Sequence, residues 1–184
     1  MNGGQIGTRY ANALLKFAME KKQADLIYQE AKAISNSYSQ FPKLKSVIEN
    51  PVMISTEKRK IIVLAAGGEL SDLFDKFFDL LFANNRECYL QAIVLKYIDL
   101  YRQQNNIHYG KLTTSTDLNA SIETNLIEMI KQNTGGTLEV EKVIDPSILG
   151  GFVLELDFVR WDASLSSQLN SIRKQYLREN KNII

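Results

Sequence analysis

The residues best suited to chemistry in this chain are a single histidine and a single cysteine. His108 lies in a segment typical of a β-strand, and one imidazole with one thiol gives too few ligands for a His/Cys zinc site. Arg86 and Glu87 form no clear thiolate-stabilising pocket beside Cys88, so we expect this cysteine to pack in a buried or half-buried position. The pattern therefore indicates neither histidine-based nucleophilic catalysis nor zinc binding.

Two aspartates, Asp145 and Asp162, have carboxylates that could in principle work as an acid–base pair. Asp145 opens a turn together with Pro146, and Asp162 stands with Ser164 where the last helix needs an N-cap. Aspartate commonly has a structural role at both kinds of position. We therefore predict no catalytic residue and assign these four residues to the local structure.

Glycine pairs at positions 3–4, 67–68, 135–136 and 150–151 raise the question of a phosphate-binding loop. Neither GxGxxG nor GxxxxGK(S/T) surrounds any of them, so the sequence predicts no nucleotide, and it indicates no metal or other cofactor. We expect the second and third pairs to end helices. Gly150 and Gly151 would instead let the backbone enter a strand where a side chain would crowd a neighbouring element.

The composition favours a soluble globular protein without a polyanionic partner. Of 184 residues, 45% are apolar, and 22 basic against 21 acidic residues give a net charge of +1. The longest basic run, Lys58-Arg59-Lys60, has no interleaved aromatic residue, so we interpret it as a solvated helix face and predict no nucleic-acid binding. No segment approaches the roughly 20 apolar residues of a membrane span, and residues 1–7 lack signal-peptide features. Membrane association would therefore be indirect, through a partner.

Periodicity predicts a mostly α chain with a small α/β part: an N-terminal six-helix bundle over residues 1–105 and a smaller C-terminal α/β domain over residues 106–184. In the first part, apolar residues recur at helical spacing, and Pro51 or the glycine pair at 67–68 separates successive helices. The predicted helices are Gln5–Glu20, Gln23–Ser39, Pro42–Glu49, Thr56–Ala66, Glu69–Phe82 and Arg86–Gln104.

The second domain is predicted to mix strands and helices after a polar junction at residues 103–106. Strands are expected at Ile107–Thr116, at Thr137–Ile144 and after the glycine pair at 150–151. A helix is expected at Asn119–Gln132. The final helix carries one apolar stripe, formed by Leu165, Leu169, Ile172 and Tyr176.

Two helices of the bundle carry more apolar surface than one core face requires. In Glu69–Phe82, at about 100° per residue, apolar side chains cover an arc of about 200°. The first helix is similarly broad, with one face formed by Ile6, Tyr10, Ala13, Leu14 and Phe17 and a second by Ala11, Leu15, Ala18 and Met19. Such breadth predicts a partner-binding surface, although helices at the centre of a bundle show the same pattern.

Several short motifs follow one another along nearly the whole chain. RYANAL occupies residues 9–14, and VIDPSILGGFVLELDFVRWDASLSSQL occupies residues 143–169, with Asn50-Pro51, Lys58-Arg59-Lys60 and Asn85-Arg86 between them. This order resembles the delta subunit family of F-type ATP synthases, called the oligomycin-sensitivity-conferring protein in mitochondria. The chain departs from the family pattern at Glu155 and Asp157-Phe158, where a basic residue and then a glycine-containing turn are usual.

The resemblance implies a non-catalytic stator subunit that links the catalytic head of the ATP synthase to its peripheral stalk and resists rotor torque. It implies that the N-terminal helices of the alpha subunits bind between the first and fifth helices, and that the C-terminal helices of the b subunits bind the second domain. The implied location is peripheral, on the cytoplasmic side of the bacterial cell membrane. The expected groove residues, some of which must face the core instead, are Tyr10, Ala13, Leu14, Phe17, Phe74, Phe77, Phe78 and Leu81.

Three other functions stay open at this point. The chain could be a soluble helical adaptor that binds amphipathic helices in another complex, a small enzyme, or an RNA-associated adaptor. An enzyme needs a polar cluster in a cleft, and an RNA adaptor needs a basic stripe with stacking aromatic residues. The sequence gives a positive signal for neither of these two.

Overall fold

A computed structural model describes residues 3–116, 128, 137–156 and 159–181. The backbone falls into two compact units, Met1–Gln104 and Asn105–Ile184. The described residues are mostly helical, and a small mixed sheet of four strands lies in the second unit. The predicted fold class, mostly α with a small α/β part, is confirmed at this level.

The first unit consists of helices joined by short connections. They are α1 (Gly3–Glu20), α2 (Ala24–Gln40), α3 (Lys43–Glu49), α4 (Ser55–Ala65), α5 (Asp72–Ala83) and α6 (Leu90–Gln104). Gly7 allows α1 to approach α6 closely, because a Cβ at Gly7 would lie 3.3 Å from the Cβ of Ala92. α3 ends before Asn50, whose ψ of 117° is the extended geometry that the following Pro51 favours.

The start of α5 differs from the prediction, since the helix begins at Asp72 rather than Glu69. The glycine pair at 67–68 has positive φ at both residues, which keeps the chain out of helical geometry. Ser71 then caps the helix, with its Oγ accepting a hydrogen bond from the N–H of Phe74 at 3.3 Å. The predicted helix began too early because the apolar pattern does not reveal this cap.

α6 also begins later than predicted, at Leu90 rather than Arg86, because the residues Glu87–Tyr89 form a 3-10 turn first. Asn85 has a φ of 50°, which turns the chain out of α5. The N–H of Arg86 then donates to the carbonyl of Leu81 at 2.9 Å. The residues before α6 therefore supply a hydrogen bond to a carbonyl in the last turn of α5.

The core of the first unit is apolar and includes one buried ion pair. Its largest fully buried side chains include Ile27, Tyr28, Ile34, Ile48, Ile62, Phe74, Phe78, Leu81, Leu90, Ile93 and Tyr97. The Nζ of Lys58, itself buried, donates to the Oε1 of Glu87 at 2.8 Å and ties α4 to the turn before α6. The interpretation of residues 58–60 as a solvated face is therefore wrong for Lys58.

The second unit is built on a sheet with the strand order β2-β1-β3-β4. β1 (Ile107–Thr114) pairs parallel to β2 (Thr137–Ile144) and antiparallel to β3 (Phe152–Leu156), which pairs antiparallel to β4 (Val159–Asp162). The buried cluster of this sheet is Leu112, Leu154 and Leu156, with Leu138, Val140 and Phe152 packed against it. The helix α7 (Leu165–Lys181) follows β4. The predicted helix Asn119–Gln132, apart from residue 128, lies outside the described residues.

β4 has no counterpart in the sequence prediction because it is only four residues long and exposed at each position. Cross-strand pairing stabilises it: Arg160 lies opposite Glu155, and its Nη1 is 3.1 Å from the Oε1 of that residue. Lys111 lies opposite Glu155 on β1. The acidic residue that departs from the family pattern thus has a basic residue on each neighbouring strand, while Asp157-Phe158 lies outside the described residues.

The backbone entering β3 passes close to the start of α7. Gly151 has a φ of 73°, and a Cβ there would lie 2.2 Å from the carbonyl oxygen of Ala163. The carbonyl of Gly150 accepts from the N–H of Leu165 at 3.0 Å, and that of Phe152 accepts from the N–H of Ala163 at 2.9 Å. Only a residue without a side chain fits at position 151.

Two turns contain the four residues that the sequence assigned to local structure, which are Asp145, Pro146, Asp162 and Ser164. Ser164 precedes α7, and its Oγ accepts from the N–H of Ser167 at 3.2 Å, while Asp162 accepts from both the N–H and the hydroxyl of Ser164. These hydrogen bonds from Ser164 lower the pKa of Asp162. Asp145 caps the 3-10 turn Pro146–Ile148.

We expect Gly151→Ala to destabilise the second unit by more than about 2 kcal/mol, because the new Cβ would meet a backbone oxygen and keep a positive φ. Gly150→Ala is the matched comparison: its φ of 158° also disfavours a side chain, but its Cβ would first meet the Cδ1 of the exposed Leu165, which can move, so we expect a smaller loss. Urea unfolding followed by the fluorescence of Trp161, the one tryptophan, measures both losses in this unit. Equal losses in the two variants would contradict this account.

Candidate functional site

The first unit has an open groove between α1 and α5. Its volume is about 470 Å³. The groove is lined by Arg9, Tyr10, Ala13, Leu14 and Phe17 from α1, by Leu73, Lys76, Phe77 and Leu80 from α5, and by Arg86 after α5. Phe17 and Leu80 remain 44% and 51% exposed, so apolar surface is available to a partner.

The structure brings together five of the eight residues that the sequence assigned to the groove: Tyr10, Ala13, Leu14, Phe17 and Phe77. The other three, Phe74, Phe78 and Leu81, are at most 1% exposed and lie in the core of the bundle. On α5, the groove side is formed instead by Leu73, Lys76 and Leu80 around Phe77, at helical spacing of three and four residues.

The apolar pattern of α5 could not separate these two faces, because both are rich in Leu and Phe. The signal available in the sequence was the position of the single lysine: Lys76 lies beside Leu73 and Leu80 on the helical wheel, whereas Phe74, Phe78 and Leu81 lie farther around from it. A charged residue at one edge marks the side of the helix that faces solvent.

Arg86 holds α1 to the end of α5. Its Nη1 donates to the hydroxyl of Tyr10 at 2.8 Å, and its guanidinium carbon lies 5.4 Å from the centre of the Tyr10 ring. The Tyr10 ring also packs edge-on against Phe77, with centroids 6.2 Å apart. Tyr10 therefore joins both walls of the groove, and Arg86 fixes its hydroxyl.

The N-terminus of α5 is anchored to α2. Ser71 donates from its backbone N–H to the Oε1 of Glu30 at 2.5 Å and from its hydroxyl to the Oε2 at 2.8 Å. Burial raises the pKa of the Glu30 carboxyl above its ordinary value, an effect that the hydrogen bonds from Ser71 oppose. Ser71 thus caps α5 and also binds the buried carboxylate of Glu30, at the point where the α5 wall of the groove begins.

The outer side of α5 is held by α4. The guanidinium of Arg59 forms ion pairs with both Asp75 and Asp79, which are four residues apart on one side of the helix. These two carboxylates do not line the groove. The groove is therefore bounded by apolar and basic side chains, while the acidic side of α5 is paired elsewhere.

The groove presents apolar and basic side chains, which suit the binding of a partner surface. Among the described residues, no three His, Cys, Asp or Glu side chains are grouped so that they could hold a metal ion. Cys88 is exposed rather than buried or half-buried as expected, and His108 lies in β1. Within the described part of the chain, no helix is long and apolar enough to span a membrane.

The second unit presents a separate apolar surface on α7. Its stripe of Leu165, Leu169, Ile172 and Tyr176, spaced as the sequence predicts, is roughly half exposed or more at each position. An apolar stripe in contact with water along a whole helix is typical of a surface that binds another helix.

The comparisons with known proteins agree over nearly the whole chain. The family model described as ATP synthase delta (OSCP) subunit matches residues 6–176. The chain is 37% identical to the ATP synthase subunit delta of Phocaeicola vulgatus over 182 residues, which is 98% of each chain. It is 37% identical to the ATP synthase subunit delta of Bacteroides thetaiotaomicron over 186 residues, covering 100% of both.

The fold is similar to that of a chain in the cryo-EM structure of the Toxoplasma gondii mitochondrial ATP synthase hexamer. The TM-score is 0.68 at 19% sequence identity, over 93% of this chain and 97% of that chain. At this identity the likeness concerns the fold alone.

Replacing Ser71 with alanine should lower the free energy of unfolding of the first unit by about 1 to 2 kcal/mol, because α5 loses its cap and Glu30 loses a donor. Ser46→Ala is the control, since Ser46 is exposed and its hydroxyl bonds within α3; we expect a change within about 0.5 kcal/mol. Urea unfolding followed by the circular dichroism signal of the helices compares the two variants. A Ser71→Ala protein as stable as the parent would refute the anchoring role.

Proposed function

Because the chain belongs to the ATP synthase delta (OSCP) subunit family, we propose that it joins the catalytic head of an F-type ATP synthase to the b subunits through two helix-binding surfaces. The family is one of structural subunits of the peripheral stalk, and the chain is such a subunit without catalytic residues of its own. It acts within a membrane-associated complex as a peripheral component. The proposed side of the membrane is the cytoplasmic one.

The observation that carries the proposal is the open apolar groove between α1 and α5. A helix laid into it would cover the half-exposed side chains of Phe17 and Leu80 and reach the Tyr10–Phe77 contact at its floor. Each Leu or Phe that becomes fully buried contributes about 1.5 to 3 kcal/mol before the cost of association. A few anchors therefore suffice for firm attachment.

We assign this groove of the six-helix bundle to the amphipathic N-terminal helix of an alpha subunit, which the family resemblance implies. The groove favours a rigid docking site because polar contacts fix both of its walls. Ser71 bonds α5 to α2, and Arg86 bonds the end of α5 to α1. A preformed groove has little ordering cost on binding.

We assign the second unit, residues 106–184, to the C-terminal helices of the b subunits. The exposed stripe on α7 supports this assignment, because a helix with one apolar face pairs with another of the same kind. With one partner on each unit, the chain would transmit torque between head and stalk without any chemical step.

The sharpest test of the groove is Ala13→Asp. Ala13 is exposed in the free protein, so the new carboxylate stays hydrated and the melting temperature should change little. In the complex it would be buried without a partner, and we expect binding of a peptide from the N-terminus of an alpha subunit to weaken by at least about 1.4 kcal/mol, or tenfold. Isothermal titration calorimetry with the full chain measures the affinity.

Gln29→Asp is the matched control, since it places the same charge on an exposed position of α2 outside the groove lining. Its affinity for the peptide should equal that of the parent. Unfolding of the Ala13→Asp protein would mean that Ala13 belongs to the core. A stable Ala13→Asp protein with unchanged affinity would remove this face from the interface.

For the second unit, Ile172→Asp should abolish or strongly reduce binding of a fragment from the C-terminal end of a b subunit while leaving the fold intact, because Ile172 is 61% exposed. Ser171→Asp is the control, one residue away and off the apolar stripe. Sedimentation of the mixed proteins measures complex formation. Equal binding by both variants would place the stalk contact away from this stripe.

A further inference from the structure

We propose that the α1–α5 groove selects a helix with acidic residues on both sides of its apolar stripe, and that Arg9, Lys76 and Arg86 are the residues that make this selection. These three form the basic rim of the groove. The inference rests on the proposed function, because it takes the occupant of the groove to be a helix. It adds the charge pattern by which that helix is distinguished from other amphipathic helices.

The first observation is the sign of the charges around the groove. Its described lining residues include three cations and no carboxylate. The chain as a whole has a net charge of only +1, so this concentration is local and does not follow from a generally basic protein. A partner with matching negative charge would be attracted and oriented by the rim.

The second observation is that none of these cations forms an ion pair among the described residues. Within the described ranges, Arg9 and Lys76 are exposed and make neither an ion pair nor a side-chain hydrogen bond. Arg86 donates from Nη1 to the neutral hydroxyl of Tyr10. Its guanidinium has five N–H donors, so further donors are available for a carboxylate.

The third observation explains why α5 does not neutralise its own lysine. Asp75 and Asp79 lie on the side of the helix that faces α4, where both pair with Arg59. Lys76 is turned about 100° from Asp75, toward the groove. Two of the three carboxylates of the helix are therefore engaged away from the rim, and the third, Asp72, is exposed one turn before Lys76 and does not line the groove.

The arrangement of the rim indicates the pattern expected in the partner. Arg9 stands on α1 and Lys76 on α5, so positive charge borders the groove on both walls. Arg86 joins Arg9 at the end marked by Tyr10. A helix that fills the groove with its apolar stripe would therefore gain ion pairs from Glu or Asp residues placed on either side of that stripe.

The test uses the full chain and three synthetic helices of about 18 residues, or roughly five turns. They share one apolar stripe and differ only in the flanking residues, which are Glu, Gln or Lys. Exposed ion pairs each contribute about two- to threefold in affinity, so we expect the Glu helix to bind about tenfold tighter than the Gln helix. The Lys helix should bind least tightly, and added salt should reduce the difference.

A charge reversal on the rim provides the matched comparison. Lys76→Glu should weaken binding of the Glu helix about tenfold, strengthen binding of the Lys helix and leave the Gln helix nearly unchanged. Lys60→Glu is the control, because it changes the net charge equally at an exposed position of α4 outside the groove. Arg9→Glu on α1 repeats the test in case the added charge on α5 disturbs that helix.

The possible results separate the two levels of the proposal. Equal affinity for the three helices, with no response to Lys76→Glu or Arg9→Glu, would overturn the charge selection and leave the groove as a helix-binding site. Failure of all three helices to bind the parent chain would overturn the proposed function itself. A concentration-dependent dimer that Lys76→Glu dissociates, without helix binding, would assign the groove to a second copy and overturn both.

Discussion

The rotational setting of α5 is the constraint on which the open groove of the first unit depends. The helix is apolar over a broad arc, and the bundle buries most of this arc but leaves the edge at Leu80 half-exposed at the groove. Contacts at both ends and on the outer side fix this orientation. Ser71 is bonded to Glu30, Arg59 pairs with the outer aspartates, and Arg86 after the helix is bonded to Tyr10. A rotation by about 100°, one residue, would change which side chains line the groove.

These polar contacts determine the orientation of α5 more than they stabilise the unit. The pairs of Arg59 are partly exposed, and ion pairs of that kind contribute about 0 to 1 kcal/mol. The stability of the unit comes mainly from the buried aromatic and aliphatic side chains. With α5 held in this orientation, Leu80 stays half-exposed beside the groove, while Leu73 and Phe77 line the groove as almost fully buried side chains.

The sequence predicted the arrangement of elements better than the orientation of side chains. The periodic segments located the described helices and three strands, since apolar spacing reports secondary structure directly. The short strand β4 escaped prediction because it is only four residues long and exposed at each position, and because it pairs with β3 through residues such as Glu155 and Arg160 that are not adjacent in the chain. The core position of Phe74 was missed because both sides of α5 are rich in Leu and Phe, and the buried Lys58 was missed because its position depends on Glu87, which is 29 residues away in the chain.

The second unit applies the same principle to α7. Gly151 brings the backbone of β3 against the start of the helix, and Ser164 and Asp162 fix its first turn. The helix is thus anchored at its N-terminus while its apolar stripe, including Ile172, stays in contact with water. Both units therefore use their polar contacts to fix one helix so that an apolar face remains open. A linking subunit needs this property, because a surface that must be reorganised on binding would weaken the attachment by the cost of ordering it.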